Sequence, residues 1–229
     1  MTPSNPYLPA RRGLALRMFS LACVLAAGTI APRRAIAQSA FDQVFDAVDA
    51  NQPAEVRALL SRGVDVNSTD RDGNSLLARA AQRGHREVVT LLLGAGARIE
   101  SRNRFGETPL MFAALSGNEG IVRDLLRGKP RVRTDGPGWT ALHYAALRGH
   151  AGVLAMLLDA GGDVDAVSDN GTTPLMFAAS EGRMEAAALL LKRGADASRA
   201  TDAGRTAAAW ARSAGHARIA DMIDAAARK

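Results

Sequence analysis

The sequence predicts an all-α repeat solenoid, a stack of similar helix-turn-helix units joined by β-hairpin-like tips. One series of glycines recurs at steps of 33, 32, 33 and 33 residues and consists of Gly73, Gly106, Gly138, Gly171 and Gly204. A second series follows it eleven residues later in every copy and consists of Gly84, Gly117, Gly149, Gly182 and Gly215. A period of this size indicates one supersecondary unit stacked on copies of itself, because a single unit cannot bury its own apolar face.

Each copy contains signals for two helices. The first-series glycine lies in a polar stretch where the chain turns tightly, since glycine adopts positive φ without strain. Two residues later comes a hydroxyl residue that can cap a helix start, namely Ser75, Thr108, Thr140, Thr173 or Thr206. The first helix carries apolar residues and paired alanines, and we expect it to end at the second-series glycine in a left-handed cap. A second apolar helix then completes the unit.

Six units are predicted in a repeat domain that covers residues 38–229. They are called units 1 to 6 and span about 40–69, 70–102, 103–134, 135–167, 168–200 and 201–229. Unit 1 has Asn51 where the later units have a loop glycine, and unit 3 has Lys129 and Pro130 where Gly-Ala is usual. We expect the end units to act as caps, and Trp210 to close the end of the core.

Two stretches carry a clear resemblance to a known family. Residues 135–164 and 169–196 resemble ankyrin repeats in their period, the TPL or TAL motif, the paired alanines, the GH dipeptide and the final LLL and GAD segments. The resemblance extends over residues 40–226. It implies a groove, lined by the tips and the first helices, whose variable side chains bind partner proteins.

The first 37 residues predict a cleavable secretory signal peptide. Three arginines precede an apolar stretch at 18–30, and the small-x-small sequence at 35–37 lies directly before Gln38. Thirteen weakly apolar residues are too few for a hydrocarbon core that needs about 20, so we expect no permanent membrane span. The sequence therefore predicts export, to the periplasm first and by secretion as the alternative. The paired Arg11 and Arg12 leave the general and the twin-arginine export routes open.

Composition argues against several functions. The net charge of the whole chain is +6, and the five arginines of the predicted signal account for all but +1 of it. A nearly neutral mature chain lacks the basic footprint of a nucleic-acid-binding protein. The single cysteine, Cys23, lies in the signal, so disulfides and thiolate-bound metal are not expected. The excess of arginine over lysine, together with abundant alanine, favours a bacterial source with GC-rich DNA.

No catalytic residue, metal ligand or cofactor site is predicted. The histidines fall on repeat positions: His85, His150 and His216 follow the loop glycine, and His143 ends the TALH motif. We interpret them as hydrogen-bonding elements of the turns. The sequence contains no HExxH, GxSxG or phosphate-loop motif. We therefore expect a protein that is not an enzyme, and a hidden hydrolase or enzyme accessory ranks third among the hypotheses.

The candidate partner-binding residues follow from the implied groove. Those at the tips are Arg71, Asn74, Arg104, Phe105, Glu107, Trp139 and Thr172. Those at the ends of the first helices are Arg83, Leu115, Leu147, Arg148 and Glu181. Phe105 and Trp139 flank turn glycines of adjacent units, and aromatic residues ringed by arginine are typical of a binding hot spot. In the alternative interpretation, Trp139 folds back on Pro137 or Tyr144 as local packing.

These observations predict a monomeric, exported scaffold that binds another protein and performs no chemistry. Arginines on the groove side favour a partner with an acidic patch. A secreted effector that binds a host protein is the second hypothesis, since the same scaffold would serve it.

Overall fold

The described part of the chain is built from paired helices. A computed structural model describes the backbone of residues 31–132 and 138–228, and the side chains of residues 40–132 and 138–228. The first helices of the pairs are α1 (Ala31–Asp49), α3 (Leu76–Arg83), α5 (Pro109–Ser116), α7 (Ala141–Arg148), α9 (Pro174–Ser180) and α11 (Ala207–Ser213). The second helices are α2 (Pro53–Ser61), α4 (Arg86–Gly94), α6 (Glu119–Arg127), α8 (Ala151–Asp159), α10 (Met184–Lys192) and α12 (Ala217–Ala227). The predicted all-helical repeat solenoid is confirmed.

Two sequence predictions concern residues outside the part of the chain that the structure describes. Residues 1–30 of the predicted signal peptide lie outside the described residues, and α1 begins at Ala31. Pro137, one of the two predicted packing partners of Trp139, also lies outside them. The boundaries of the six units stay a prediction.

The capping signals of four first helices work as the sequence predicts, whereas the hydroxyl of Thr140 lies 2.9 Å from His143 Nδ1 and makes no cap bond to α7. Ser75 and Thr206 accept the backbone N–H of the residue three positions later, at 3.1 and 3.3 Å. Thr108 and Thr173 do the same at 3.4 Å each. These bonds satisfy N–H groups that have no partner inside a helix.

The helix ends differ between units. Glycine is the left-handed C-cap of α3, α5 and α7. In contrast, α9 and α11 end earlier, at Ser180 and Ser213, so that Gly182 and Gly215 lie two residues beyond the helix. Both still have positive φ, 71° and 84°. The glycine turn is therefore common to these units, while the last helical residue is not.

Two layers of helices enclose the core. The first helices pack side by side in the order α1, α3, α5, α7, α9 and α11, and each second helix packs on its own first helix. The alanine pairs of the first helices are completely buried, as at Ala113 and Ala114. Small side chains let the backbones of neighbouring helices approach closely, so that one apolar core runs through the stack. Trp210, in the first helix of the last pair (α11), is buried, as predicted.

The tips stack on one another through backbone hydrogen bonds. The N–H of Arg104 donates to the carbonyl of Asp72 at 3.0 Å, and that of Gly138 donates to Val167 at 2.9 Å. Two tips are closed by an isolated antiparallel bridge, Thr69 with Ser75 and Ala200 with Thr206. The tips therefore extend the stack beyond the helices.

The residue after the second-series glycine ties units 2 to 5 to the preceding unit. Its side chain lies against a backbone carbonyl of that unit: His85 Nε2 is 3.1 Å from Asp49 O, and His150 Nε2 is 3.3 Å from Leu115 O. Asn118 donates to Gly84 O and Arg183 donates to Leu147 O, each in the preceding unit and each at 3.3 Å. The structural role predicted for His85 and His150 is thus confirmed.

Candidate functional site

The tips and first helices form one continuous face, called here the groove face. One position of the first helix recurs along its floor and is occupied in turn by Arg79, Phe112, Tyr144, Phe177 and Trp210. The face divides into two parts. The polar half contains Asp49, Asp70, Asn74, Arg79, Asn103 and Glu107, and the aromatic half contains Trp139, Tyr144, Phe177 and Trp210.

The polar half begins with an arginine held by two carboxylates. Arg79 donates to both oxygens of Asp49, at 2.8 and 2.7 Å, and to Asp70 at 3.2 Å. The bidentate hydrogen bonds from Arg79 are the main reason why the pKa of Asp49 lies below its usual value. Arg83 adds a weaker contact to Asp49 at 3.2 Å. Arg83, a candidate partner-binding residue, is therefore partly engaged within the protein.

The same network continues into the next two tips. Asn74 donates to Asp70 at 3.0 Å and accepts from Asn103 Nδ2 at 2.8 Å. Asn103 Nδ2 also lies 2.7 Å from a carboxylate oxygen of Glu107. Asn74 and Glu107 therefore use much of their hydrogen-bonding capacity within the protein, which leaves less of it for a partner.

Tyr144 joins the two halves. Its hydroxyl donates to the second carboxylate oxygen of Glu107. Burial, and then the hydrogen bond to Glu107, raise the pKa of Tyr144 well above its usual value. The ring of Tyr144 packs on Trp139, with 5.0 Å between ring centroids. One side chain thus ends the polar network and begins the aromatic one.

The aromatic half is a row of tilted and edge-on rings. Trp139 and Phe177 are 4.6 Å apart between centroids, and Phe177 and Trp210 are 6.2 Å apart at an interplanar angle of 89°. The guanidinium of Arg205 lies over the ring of Trp210, 5.4 Å from its centroid. Such geometries favour aromatic pairs and cation-π contacts.

His143 lies beneath these rings and is fully buried. The N–H of Thr140 donates to its Nδ1 at 3.1 Å, so Nε2 carries the proton and donates to the carbonyl of Thr172 at 3.0 Å. Burial lowers the pKa of His143 to about 4. Because both ring nitrogens are used within the protein, His143 has a structural role, as predicted.

The structure places the candidate partner-binding residues in three environments. Those exposed to solvent are Arg71, Arg83, Arg104, Phe105 and Arg148. Those that are half-buried are Asn74, Glu107, Leu115, Trp139 and Glu181. Those that are buried are Leu147 and Thr172.

Leu147 and Thr172 require a correction. Leu147 is 7% exposed, because the last turn of α7 packs into the core. Thr172 is 1% exposed, and its hydroxyl donates to Asn170 at 2.7 Å within the tip. Neither side chain can reach a partner, and we remove both from the candidate surface. The sequence pattern showed their position in the unit but not the packing around it.

The two aromatic candidates have different surroundings. Trp139 packs on Tyr144 and Phe177, which agrees with the alternative prediction that it folds back as local packing. Phe105 is 74% exposed. Among the described residues it is the large hydrophobic side chain that is open to solvent. Arg102 and Arg104 beside it are also exposed. The accessible part of the predicted contact centre is therefore Phe105 and its arginines.

Other kinds of site are absent from the described residues. Within residues 31–132 and 138–228, no group of three or more His, Cys, Asp or Glu residues could hold a metal ion. None of the helices in the described part of the chain has both the length and the apolar character that crossing a membrane requires.

The stacked helix pairs and their tips define a helical repeat protein. The sequence profile of the family described as ankyrin repeats (3 copies) matches residues 44–134, 96–168, 121–201 and 153–226. The overlapping matches extend over most of the chain, which therefore belongs to the ankyrin repeat family. A comparison with curated proteins found no match. Ankyrin repeats indicate a scaffold for protein-protein interaction, and the family is typically non-enzymatic.

Proposed function

We propose that this protein is a monomeric, non-enzymatic scaffold of the bacterial periplasm that binds a partner protein on its groove face, with Phe105 at the centre of contact. The observation that carries this proposal is the 74% exposure of Phe105 at a tip. A large aromatic side chain in water contributes almost nothing to folding. Covered by a partner, it contributes about 2 kcal/mol or more to binding.

The positive charges around Phe105 favour a partner with an acidic surface patch. Arg71, Arg102 and Arg104 are exposed on the same two tips. Arginines around an aromatic anchor are typical of the polar rim of an interface, where they favour an acidic patch on the partner. Arg148 extends the exposed positive charge along the ends of the first helices.

The binding proposal is tested by comparing two baits. Wild-type protein and the Phe105→Ala variant are used to capture partners from periplasmic extract, and each captured protein is then titrated against both. We expect affinity to fall about 30-fold for the variant, which corresponds to about 2 kcal/mol. Arg57→Ala, an exposed change on α2, is the control and should leave affinity unchanged. Equal capture by wild type and Phe105→Ala would show that the contact centre is wrong.

Export is proposed from the arginine-flanked apolar stretch and the small residues that precede Gln38. Fractionation of expressing cells, followed by mass spectrometry of the N-terminus, tests it. We expect a mature chain that starts at Gln38 in the periplasmic fraction. Full-length protein in the cytoplasm would contradict export, and mature protein in the medium or in host cells would favour the effector hypothesis.

A further inference from the structure

The tip that carries Phe105 is held by the side chain of Asn103. Its Oδ1 accepts the backbone N–H of Phe105 and that of Glu107, each at 2.9 Å. Backbone bonds close the same turn, since Asn103 N donates to Glu107 O at 3.1 Å and Gly106 N donates to Asn103 O at 3.0 Å. Such local hydrogen bonds stabilise a turn. The backbone of Phe105 is therefore fixed, although its ring is exposed.

The tip of unit 3 also packs directly on the tip of unit 2. Arg104 N donates to Asp72 O at 3.0 Å. The side-chain amide of Asn103 donates to Asn74 Oδ1 at 2.8 Å. The two backbones are in contact, because a Cβ atom on Gly73 would lie 3.3 Å from both Arg104 N and Asn103 Cα. The unit 3 tip therefore has little room to move relative to unit 2.

Glu107 links the same tip to unit 4. Asn103 Nδ2 donates to one carboxylate oxygen of Glu107 at 2.7 Å, and the hydroxyl of Tyr144 donates to the other. Tyr144 is buried and packs on Trp139, so it is a fixed support. Both oxygens of Glu107 are thus engaged within the protein. Through one side-chain amide, the tip of unit 3 is connected to the unit on each side of it.

Units 2 and 3 use the same pair of groups in opposite order. In unit 2 the first tip residue is a carboxylate, Asp70, which accepts from the amide of Asn74 at 3.0 Å. In unit 3 the amide of Asn103 comes first and the carboxylate of Glu107 comes fifth. Asp70 also accepts from Arg79, whereas the equivalent floor position of unit 3 is a phenylalanine. An amide can accept backbone N–H groups and donate to Glu107 at the same time, which a carboxylate cannot do.

We propose that Asn103 is a positioning residue for partner binding, which holds Phe105 in the conformation that the partner contacts. This inference rests on the proposed function and adds to it how the contact centre is built. A loop that is ordered before binding loses less conformational freedom when the partner arrives, which favours affinity. Asn103 is half-buried beneath the turn, so it acts through Phe105. The partner therefore meets an exposed ring on a backbone that is already ordered.

Amide hydrogen exchange tests the positioning without any partner. The exchange rates of the Phe105 and Glu107 N–H groups are compared by NMR in the full chain, for wild type and Asn103→Ala. Both groups donate to the side chain that is removed, so we expect them to exchange about 10-fold faster. Asn67→Ala is the matched control: Asn67 accepts the N–H of Arg98 at 2.9 Å in the loop after α2, and its loss should leave both rates unchanged. Unchanged rates in Asn103→Ala would overturn the proposal.

A pair of double variants separates this role from a general loss of stability. Asn103→Asp/Glu107→Gln keeps an acceptor for the Phe105 N–H and restores the carboxylate–amide order of unit 2, so its exchange rates should stay within about 3-fold of wild type. Asn103→Ala/Glu107→Gln carries the same change at Glu107 but has no acceptor, so both groups should again exchange about 10-fold faster. Equal rates in the two double variants would show that this side chain does not hold the tip.

Partner binding is then measured in a double-mutant cycle. The probe is the protein that wild-type bait captures from periplasmic extract, titrated against wild type, Asn103→Ala, Phe105→Ala and the double variant. Asn103→Ala should lower affinity about 10-fold in wild type and no more than about 2-fold beside Phe105→Ala, because Asn103 acts through Phe105. Equal losses in both backgrounds would overturn the positioning role. Unchanged affinity in Phe105→Ala would contradict the proposed function and this inference together, whereas a loss in Phe105→Ala without one in Asn103→Ala would contradict this inference alone.

Discussion

The two halves of the groove face hold adjacent units together by different physical means. In the polar half, Arg79 and the residues around it are linked by directional hydrogen bonds between half-buried groups. In the aromatic half, Phe177 and its neighbours are linked by burial and ring packing. The same helical position is Arg79 in one unit and Phe177 in another, so one backbone geometry accommodates both solutions.

This difference determines how the stability of each half responds to pH and salt. Burial of apolar surface is insensitive to pH and mild salt, and its loss leaves a cavity. Charged hydrogen bonds weaken when a carboxylate is protonated, and they constrain register because their geometry is directional. We therefore expect the aromatic half to contribute more stability through burial, and the ion pairs of the polar half to weaken only where their carboxylates take up protons, at lower pH than His143 beneath the rings.

The largest effect is expected from Phe177→Ala in the aromatic half. Phe177 is 2% exposed and contacts rings of two neighbouring units, so its removal should lower the free energy of unfolding by about 4 kcal/mol. Urea denaturation measures it. The same change at exposed Phe105 is the control and should stay within about 0.5 kcal/mol. A loss below about 1 kcal/mol at Phe177 would show that the aromatic row is not a stabilising element.

The next effect is a pH dependence that originates at His143. Its pKa is about 4 in the folded protein against a usual 6.5, because burial disfavours the charged ring. Between these values the unfolded chain binds more protons, so stability falls by about 3 kcal/mol as pH drops from 6.5 to 4. His143→Met introduces the residue that Met111 and Met176 supply at this position in the neighbouring units, and it should remove that slope in urea titrations across this range. An unchanged slope would show that groups other than His143 cause the pH dependence of stability.

A smaller effect is expected from Arg79→Met in the polar half. The change leaves Asp49 and Asp70 without their main cation and should lower stability at pH 7 by about 2 kcal/mol. Because Arg79 lowers the pKa of Asp49, this contribution is full above about pH 4 and is lost as pH falls below the usual value of 3.8. The difference between wild type and variant should therefore shrink as pH is lowered below 3.8, as followed by circular dichroism. Arg71→Met, on an exposed tip, should show no such convergence.

The smallest effect is expected away from the groove face, in the loop after α6, where Lys129 has a positive φ of 53°. Lys129→Gly should raise the free energy of unfolding by about 1 kcal/mol, because glycine adopts the positive φ of this turn without strain. Thermal unfolding measures it. Lys129→Ala is the matched control, since it removes the charge and keeps the strain, and it should give no gain. An equal gain in both variants would attribute the effect to charge instead of backbone.

Local features were predictable because each depends on a few consecutive residues. The glycine turns, the hydroxyl caps of Ser75 and Thr108 and the buried alanine pairs all follow from the period and from side-chain chemistry. The candidate site was predictable only in part. Phe105 is exposed as expected, whereas Thr172 is buried at a tip position where the repeat pattern suggested access. Position within a unit does not determine how the next unit covers it.

The sequence by itself determined that this chain is a stack of helix pairs in the ankyrin repeat family, because periodicity, capping and turn residues are local properties. Only the tertiary structure decided what the groove face consists of. Arg79 meets Asp49 across 30 residues, and Tyr144 meets Glu107 across 37. Such contacts depend on how closely adjacent units pack, and this packing turns one repeated helical position into a charged network at one end and a row of rings at the other.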